Sequence, residues 1–253
     1  MMLRNQPPPI RSKVILVLAL GLVGGLPLRA EMTENADAAF STRDVFRGRK
    51  LSGAAFQPGL TVNSGNWAGG LWANLPTASG EPRELDPFLY YYLSQPTVTW
   101  QLGLQYYDYA GAAALAATHA YEASLGATAI FPVTPAFPVT ANASLAYDPR
   151  RQTLSFEASL EHALSLAAIG VPLELTGGGF AGLVDARDLA PDLPGPRARD
   201  AYLYGGLRGK AVLTLSSGAT LTLGGQWDGA HNAGPFGGST GNLSASLTLG
   251  MAW

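Results

Sequence analysis

The chain has 253 residues, 47% of them hydrophobic by class and only 13% charged, with 31 Gly, 18 Pro, no Cys and a formal net charge of −2. A soluble domain carries about 25% charged residues, so an ordinary water-exposed surface is poorly provided for. Without Cys there is no disulfide scaffold, thiolate metal centre or Cys catalysis, and the near-neutral charge offers no broad basic face for nucleic acid.

Taken in chain order, Arg4, Arg11 and Lys13 precede the apolar run Val14 to Leu28, and small or polar residues follow. That is the order of a secretory signal, with cleavage expected after Ala30. The run is shorter than the roughly 20 residues of a spanning helix, and Gly24, Gly25 and Pro27 break it, which disfavours a membrane anchor. Residues 31–38 read as a short periplasmic segment, and 39–253 as one domain. An exported chain without thiols is expected to be a periplasmic or envelope protein.

From residue 39 onward the apolar period is two. Strands are predicted at about 39–48, 54–63, 67–75, 84–93, 97–108, 118–131, 139–148, 153–166, 173–184, 201–216, 219–228 and 242–253. In the last, Leu243, Ala245, Leu247, Leu249, Met251 and Trp253 alternate with Asn242, Ser244, Ser246, Thr248, Gly250 and Ala252. The polar face throughout is mainly Ser, Thr, Gly, Asn, Gln and Tyr. That composition suits the interior of a transmembrane barrel whose apolar face meets lipid, and a sheet in lipid must close on itself. The predicted fold is therefore all-β: an antiparallel transmembrane β-barrel of about twelve strands after a cleaved signal peptide. Ten strands is the alternative, should Pro58, Pro87 or Gly177-Gly178-Gly179 mark a break. The connections sort by side. Those at 64–66, 94–96, 134–138, 167–172 and 216–218 are short and uncharged, whereas the opposite side holds the long stretches 185–200 and 229–241 and Arg49, Lys50, Glu81, Arg83, Arg150 and Arg151. The short turns are assigned to the periplasm.

Four motifs carry a family resemblance: Val45-Phe46-Arg47-Gly48, Trp67-Ala68-Gly69-Gly70-Leu71-Trp72-Ala73-Asn74, Glu84-Leu85-Asp86, and Tyr106-Tyr107-Asp108-Tyr109-Ala110-Gly111. They resemble the TorF-like family of Gram-negative outer-membrane proteins, assigned as porins. The match is firmest over roughly residues 40–111, and it departs from the family pattern at Pro87-Phe88. The resemblance implies an outer-membrane barrel and a pore, and supplies no catalytic or ligand residues.

Chemistry is sparse. Gly177-Gly178-Gly179-Phe180-Ala181-Gly182 fits G-x-G-x-x-G, but no helix follows to face a pyrophosphate, so a strand bulge or a close interior approach is expected. His119, His162 and His231 lack metal-ligand spacing. His162 falls on the lipid face with no serine beside it, which leaves a lipid-face hydrolase as a third and remote reading. No catalytic residue, cofactor or metal is expected, and the chain is read as a non-enzyme. Trp67, Trp100, Trp227, Trp253, Tyr91 and Tyr106 read as an interfacial girdle. Arg49, Lys50, Arg150 and Arg151 are placed in outer loops, where they would meet lipopolysaccharide phosphates or water.

The pore-lining candidates are Arg47, Glu122, Glu157, Glu161, Glu174, Tyr202, Tyr204, Arg208 and Lys210, with Glu84 and Asp86 also on the polar parity. Ionic groups inside a barrel must be paired or wet. Eight strands give a filled interior and sixteen a channel, so twelve leaves both open. The expected function is a narrow passive pore for small hydrophilic solutes, and the alternative is a closed structural or surface-interaction barrel plugged by salt bridges. Leu249, Met251 and Trp253 resemble the terminal signal read by the barrel-insertion machinery. The expected partners are that machinery, outer-membrane lipid, lipopolysaccharide and small solutes, with no nucleic acid.

Overall fold

Strict alternation sends every second side chain to the same face, and a sheet of such strands buries its backbone polar groups by closing. The computed structural model describes residues 32–110, 119–134, 137–188, 199–215, 218–231 and 240–253. The signal segment 1–30 lies outside the described residues. Twelve strands form a closed antiparallel barrel: β1 (Met32–Ser41), β4 (Ala55–Ser64), β5 (Trp67–Pro76), β6 (Arg83–Ser94), β7 (Val98–Ala110), β8 (His119–Thr134), β9 (Phe137–Asp148), β10 (Thr153–Ser165), β11 (Leu173–Ala186), β12 (Asp200–Thr214), β13 (Thr220–His231) and β14 (Thr240–Ala252). Each pairs with its neighbours in sequence, and β1 closes the ring against β14. A separate hairpin, β2 (Asp44–Phe46) and β3 (Arg49–Ser52), joins β1 to β4. Among the described residues no helix is long and apolar enough to cross a membrane.

The suspected breaks do not break the barrel. Pro58 and Pro87 each leave a gap in one ladder, where the missing N–H removes a bond, but the register resumes unshifted at Gly59↔Trp72 and Phe88↔Gln105. Gly177 to Gly179 stay in continuous register with both neighbours. Twelve strands, not ten, result.

Two expectations near the N-terminus are corrected. Residues 31–38 were expected as a segment ahead of the barrel, yet Met32 onward is already β1. The polar residues Glu34, Asn35 and Asp37 mask a strand whose central outward side chains, Ala36 and Ala38, are small. The first strand was also expected to run over 39–48. It ends at Ser41, and Asp44 to Ser52 leave the wall.

The outer face is apolar. Leu102, Leu104, Leu160, Leu207, Leu223 and Leu243 are all exposed, Leu243 by 70%. Outward aromatics mark its edges: Trp67 packs on Tyr91 with ring centroids 4.8 Å apart near the chain termini, and Tyr106 on Tyr121 at 5.0 Å near the opposite rim. We call these the terminal end and the loop end.

Candidate functional site in the lumen

The β2–β3 hairpin enters the barrel from the loop end. Its two-residue turn, Arg47-Gly48, has φ +49° and +76°, the pair of positive angles that a type I′ turn requires. Arginine is an unfavourable occupant of that region, and its side chain is held in return. Arg47 Nη2 lies 2.8 Å from Glu122 on β8, its guanidinium covers the Phe46 ring at 4.4 Å, and Phe46 packs on Tyr107 of β7 at 6.1 Å. On the other side Arg49 pairs with Asp200 and covers Tyr202 of β12 at 4.3 Å. Asn242 Nδ2 of β14 donates to the Gly48 carbonyl at 3.2 Å. On a ring of twelve strands β8 lies four steps from β12 and six, the maximum, from β14. The hairpin therefore crosses nearly a full diameter. Its exit is tied down as well, since the Gly53 amide donates to the Glu81 carboxylate at 3.0 and 3.1 Å.

A second cluster lies across β10–β12. Register places Glu161, Gly178 and Arg208 in one row, and Glu157, Gly182 and Tyr204 in the next. Arg208 Nε donates to Glu161 at 2.9 Å, its Nη2 to Ser159 at 3.0 Å, and its Nη1 lies 3.7 Å from Glu157. Tyr204 donates to Glu157 at 2.9 Å. These side chains meet by passing over β11, which only glycine permits: a Cβ on Gly182 would collide with the Tyr204 ring, and one on Gly178 with Glu161. The look-alike nucleotide motif thus serves close approach inside the wall. Between this cluster and the hairpin lies a cavity of about 250 Å³, lined by Phe46, Arg47, Ser144, Ser155, Glu157, Phe180, Tyr204, Arg208 and Gln226.

The two ends of the lumen differ. The buried inward side chains gather at the loop end, with Asn74, Glu84, Asp86, Tyr107, Tyr109, Asp148, Asp200, Tyr202, Tyr204, Asp228 and Asn242 around the hairpin. Toward the terminal end, Lys210 and Glu174 share the inward parity yet are exposed. One half is packed and the other is wet.

Of the sequence-derived lining residues, Glu122, Glu157, Glu161, Glu174, Tyr202, Tyr204, Arg208 and Lys210 lie on inward wall positions. Arg47 faces the lumen too, but from the hairpin tip and not from the wall. Arg49 was expected in an outer loop. It turns inward to Asp200, as Arg151 turns onto the Tyr109 ring at 5.6 Å. The sequence reading missed Asp44, Phe46, Asp200 and Asn242; the signal for the hairpin was a Gly at 48 between two arginines. Asp44 Oδ2 and Asp86 Oδ1 are buried without a hydrogen-bond partner, and burial pushes the Asp44 carboxyl up to about 6. His162 lies on the outer face with Nδ1 2.8 Å from the Pro138 carbonyl. Leu249, Met251 and Trp253 all point outward and are exposed. Trp253 also closes the seam: it exchanges both backbone hydrogen bonds with Glu34, and its indole donates to the Glu34 carboxylate at 2.7 Å.

No protein-family model and no curated protein matches this sequence. Solved structures do. An outer membrane channel from Pseudomonas putida F1 superimposes with a TM-score of 0.53 at 12% identity, covering 90% of this chain and 97% of the channel. LpxR from Salmonella typhimurium gives 0.55 at 7% identity, covering 85% and 99%. The second corrects the expectation of a non-enzyme, because LpxR is an outer-membrane barrel enzyme and this architecture does not exclude catalysis. Fold, closure and the apolar outer face agree: the chain is a transmembrane β-barrel of the outer-membrane type.

Proposed function

We propose that the protein is a narrow outer-membrane pore for small hydrophilic solutes, constricted from within by the hairpin between β1 and β4. The carrying observation is the contrast along the lumen, where exposed Lys210 and Glu174 face a wet terminal half and the hairpin narrows the loop half to a cavity of about 250 Å³. The TorF-like resemblance supports the same reading. In this reading the signal segment is removed after export, Leu249, Met251 and Trp253 address the insertion machinery, and the loop end faces lipopolysaccharide.

The closed structural barrel is the second reading. It is favoured by the ion pairs that fasten the hairpin to opposite walls, Arg47–Glu122 and Arg49–Asp200. Purified protein in a planar bilayer decides between them. A pore gives small discrete currents, and replacing residues 44–52 with a short Gly-Ser link raises them severalfold. Arg208→Ala leaves Glu157 and Glu161 unneutralised and shifts selectivity toward cations. Silence of the wild type with currents in Arg208→Ala establishes the plug, and silence of the wild type and the deletion alike removes the pore.

A further inference from the structure

The polar lumen contains one feature that neither the hairpin nor the ion pairs explain. Phe88, Tyr90 and Tyr92 share the inward parity of β6 and run from beneath the hairpin toward the terminal end. Successive ring centroids lie 5.1 Å and 6.4 Å apart, the first pair stacked at 28°. Phe88 and Tyr90 pass close over glycines of the neighbouring strands. A Cβ on Gly70 of β5 would stand 2.6 Å from Phe88 Cζ, and one on Gly103 of β7 would stand 2.7 Å from Tyr90 Cε1. Tyr92 is tilted 57° to Tyr90, and all three rings are only half-buried, so part of each is open to the lumen. The Tyr90 hydroxyl donates to Gln105 Oε1 at 3.2 Å, so polar amide groups border the ring. Elsewhere on the ring the inward residues of β13 and β14 include Thr220, Thr222, Gly224, Ser244, Ser246 and Thr248, which shows that the wall does not require aromatics.

We infer that this ladder is a subsite for an uncharged saccharide. The inference rests on the pore reading and adds a substrate class to it. An aromatic face carries partial negative charge and attracts the polarised C–H groups on the flat side of a pyranose, while the ring hydroxyls reach neighbouring amides and water. Rings repeated at this spacing let a sugar move from one face to the next without full desolvation. The inward neighbours that flank the ladder on β5 and β7 are Ala68, Gly70, Gln101, Gly103 and Gln105; none is charged, so the subsite offers hydrogen bonds but no ionic partner to a solute.

The test uses the full mature chain folded in detergent and titrated calorimetrically with maltotriose, with sorbitol as a polyhydroxylated control lacking a ring. Saturable binding of roughly millimolar strength is expected for maltotriose and not for sorbitol. Tyr90→Ala with Tyr92→Ala weakens it about fivefold or more, whereas Tyr90→Phe, which keeps the ring, leaves it nearly unchanged. A heat-dependent shift in gel mobility confirms that each variant is folded, and the phenylalanine variant keeps the test open should the alanine pair fail to fold. Absence of saturable binding by folded wild type, or equal binding by folded alanine variants, overturns the subsite. Bilayer recordings on the same preparation separate the two claims: conduction without sugar binding removes the subsite alone, and binding without conduction removes the pore alone.

Discussion

Asp44 shows how much a single side chain can control here. It sits on the hairpin facing Glu84 and Asp86 of β6, with Arg151 of the β9–β10 connection also acting on Glu84. Its carboxyl is lifted from 3.8 to about 6 by burial. An acid with a raised pKa binds its proton more tightly in the docked state, so docking is fully supported below about 4 and weakens as pH rises through about 6. A spin label on Lys50→Cys, an exposed hairpin position, should therefore be immobile at pH 5 and more mobile at pH 7.5. Asp44→Asn should keep it immobile at both. Equal mobility of the wild-type hairpin at the two values would show that Asp44 does not control docking. None of this was legible in the sequence, because Asp44 was read only as part of a first strand over 39–48. Alternation says which face a residue takes, but not whether its backbone has left the sheet.

Strands, by contrast, were legible almost to their ends. From β4 to β14 the predicted and observed bounds agree to within a few residues, because a lipid face and a water face impose unlike side chains at every step. The exceptions share a cause. β1 pairs with β14 on one side and β4 on the other, and its outward residues Ala36 and Ala38 are too small to advertise a lipid face. The hairpin lies within the lumen and meets no lipid, so no two-sided contrast marks it. β14 is also an element with two duties, since Trp253 holds Glu34 across the seam. Removing residues 249–253 should leave the chain unassembled and degraded in cells. Trp253→Phe should insert normally yet lose its heat-resistant gel mobility at a lower temperature, because the ring stays and the indole N–H is lost. Insertion of the truncated chain at wild-type levels would refute the assembly role.

For the molecule as a whole, orientation is the property most open to test. The connections at 64–66 and 94–96 lie at the end that carries Met32 and Trp253, and those at 77–82 and 149–152 at the other. An impermeant maleimide on intact cells should label Ser79→Cys and spare Asn66→Cys, both exposed positions. The reverse pattern would invert the pore in the membrane. The inward parity of Glu157, Glu161 and Arg208 was legible, and the structure pairs Arg208 with both acids. Their meeting over Gly178 and Gly182 was not, because it depends on register across three strands.

The hairpin that spans the lumen has a history built into its contacts. It lies near the start of the chain, yet Arg49 meets Asp200, 151 residues away, and Gly48 meets Asn242, 194 residues away. Contacts of such separation form late, because the loops they close must first be restrained. The hairpin is made among the first segments and has no seat until β12 and β14 arrive. While the barrel is unclosed it must wait as a polar, unfastened loop. The last strand to join the wall thus also completes the site where one of the first segments comes to rest.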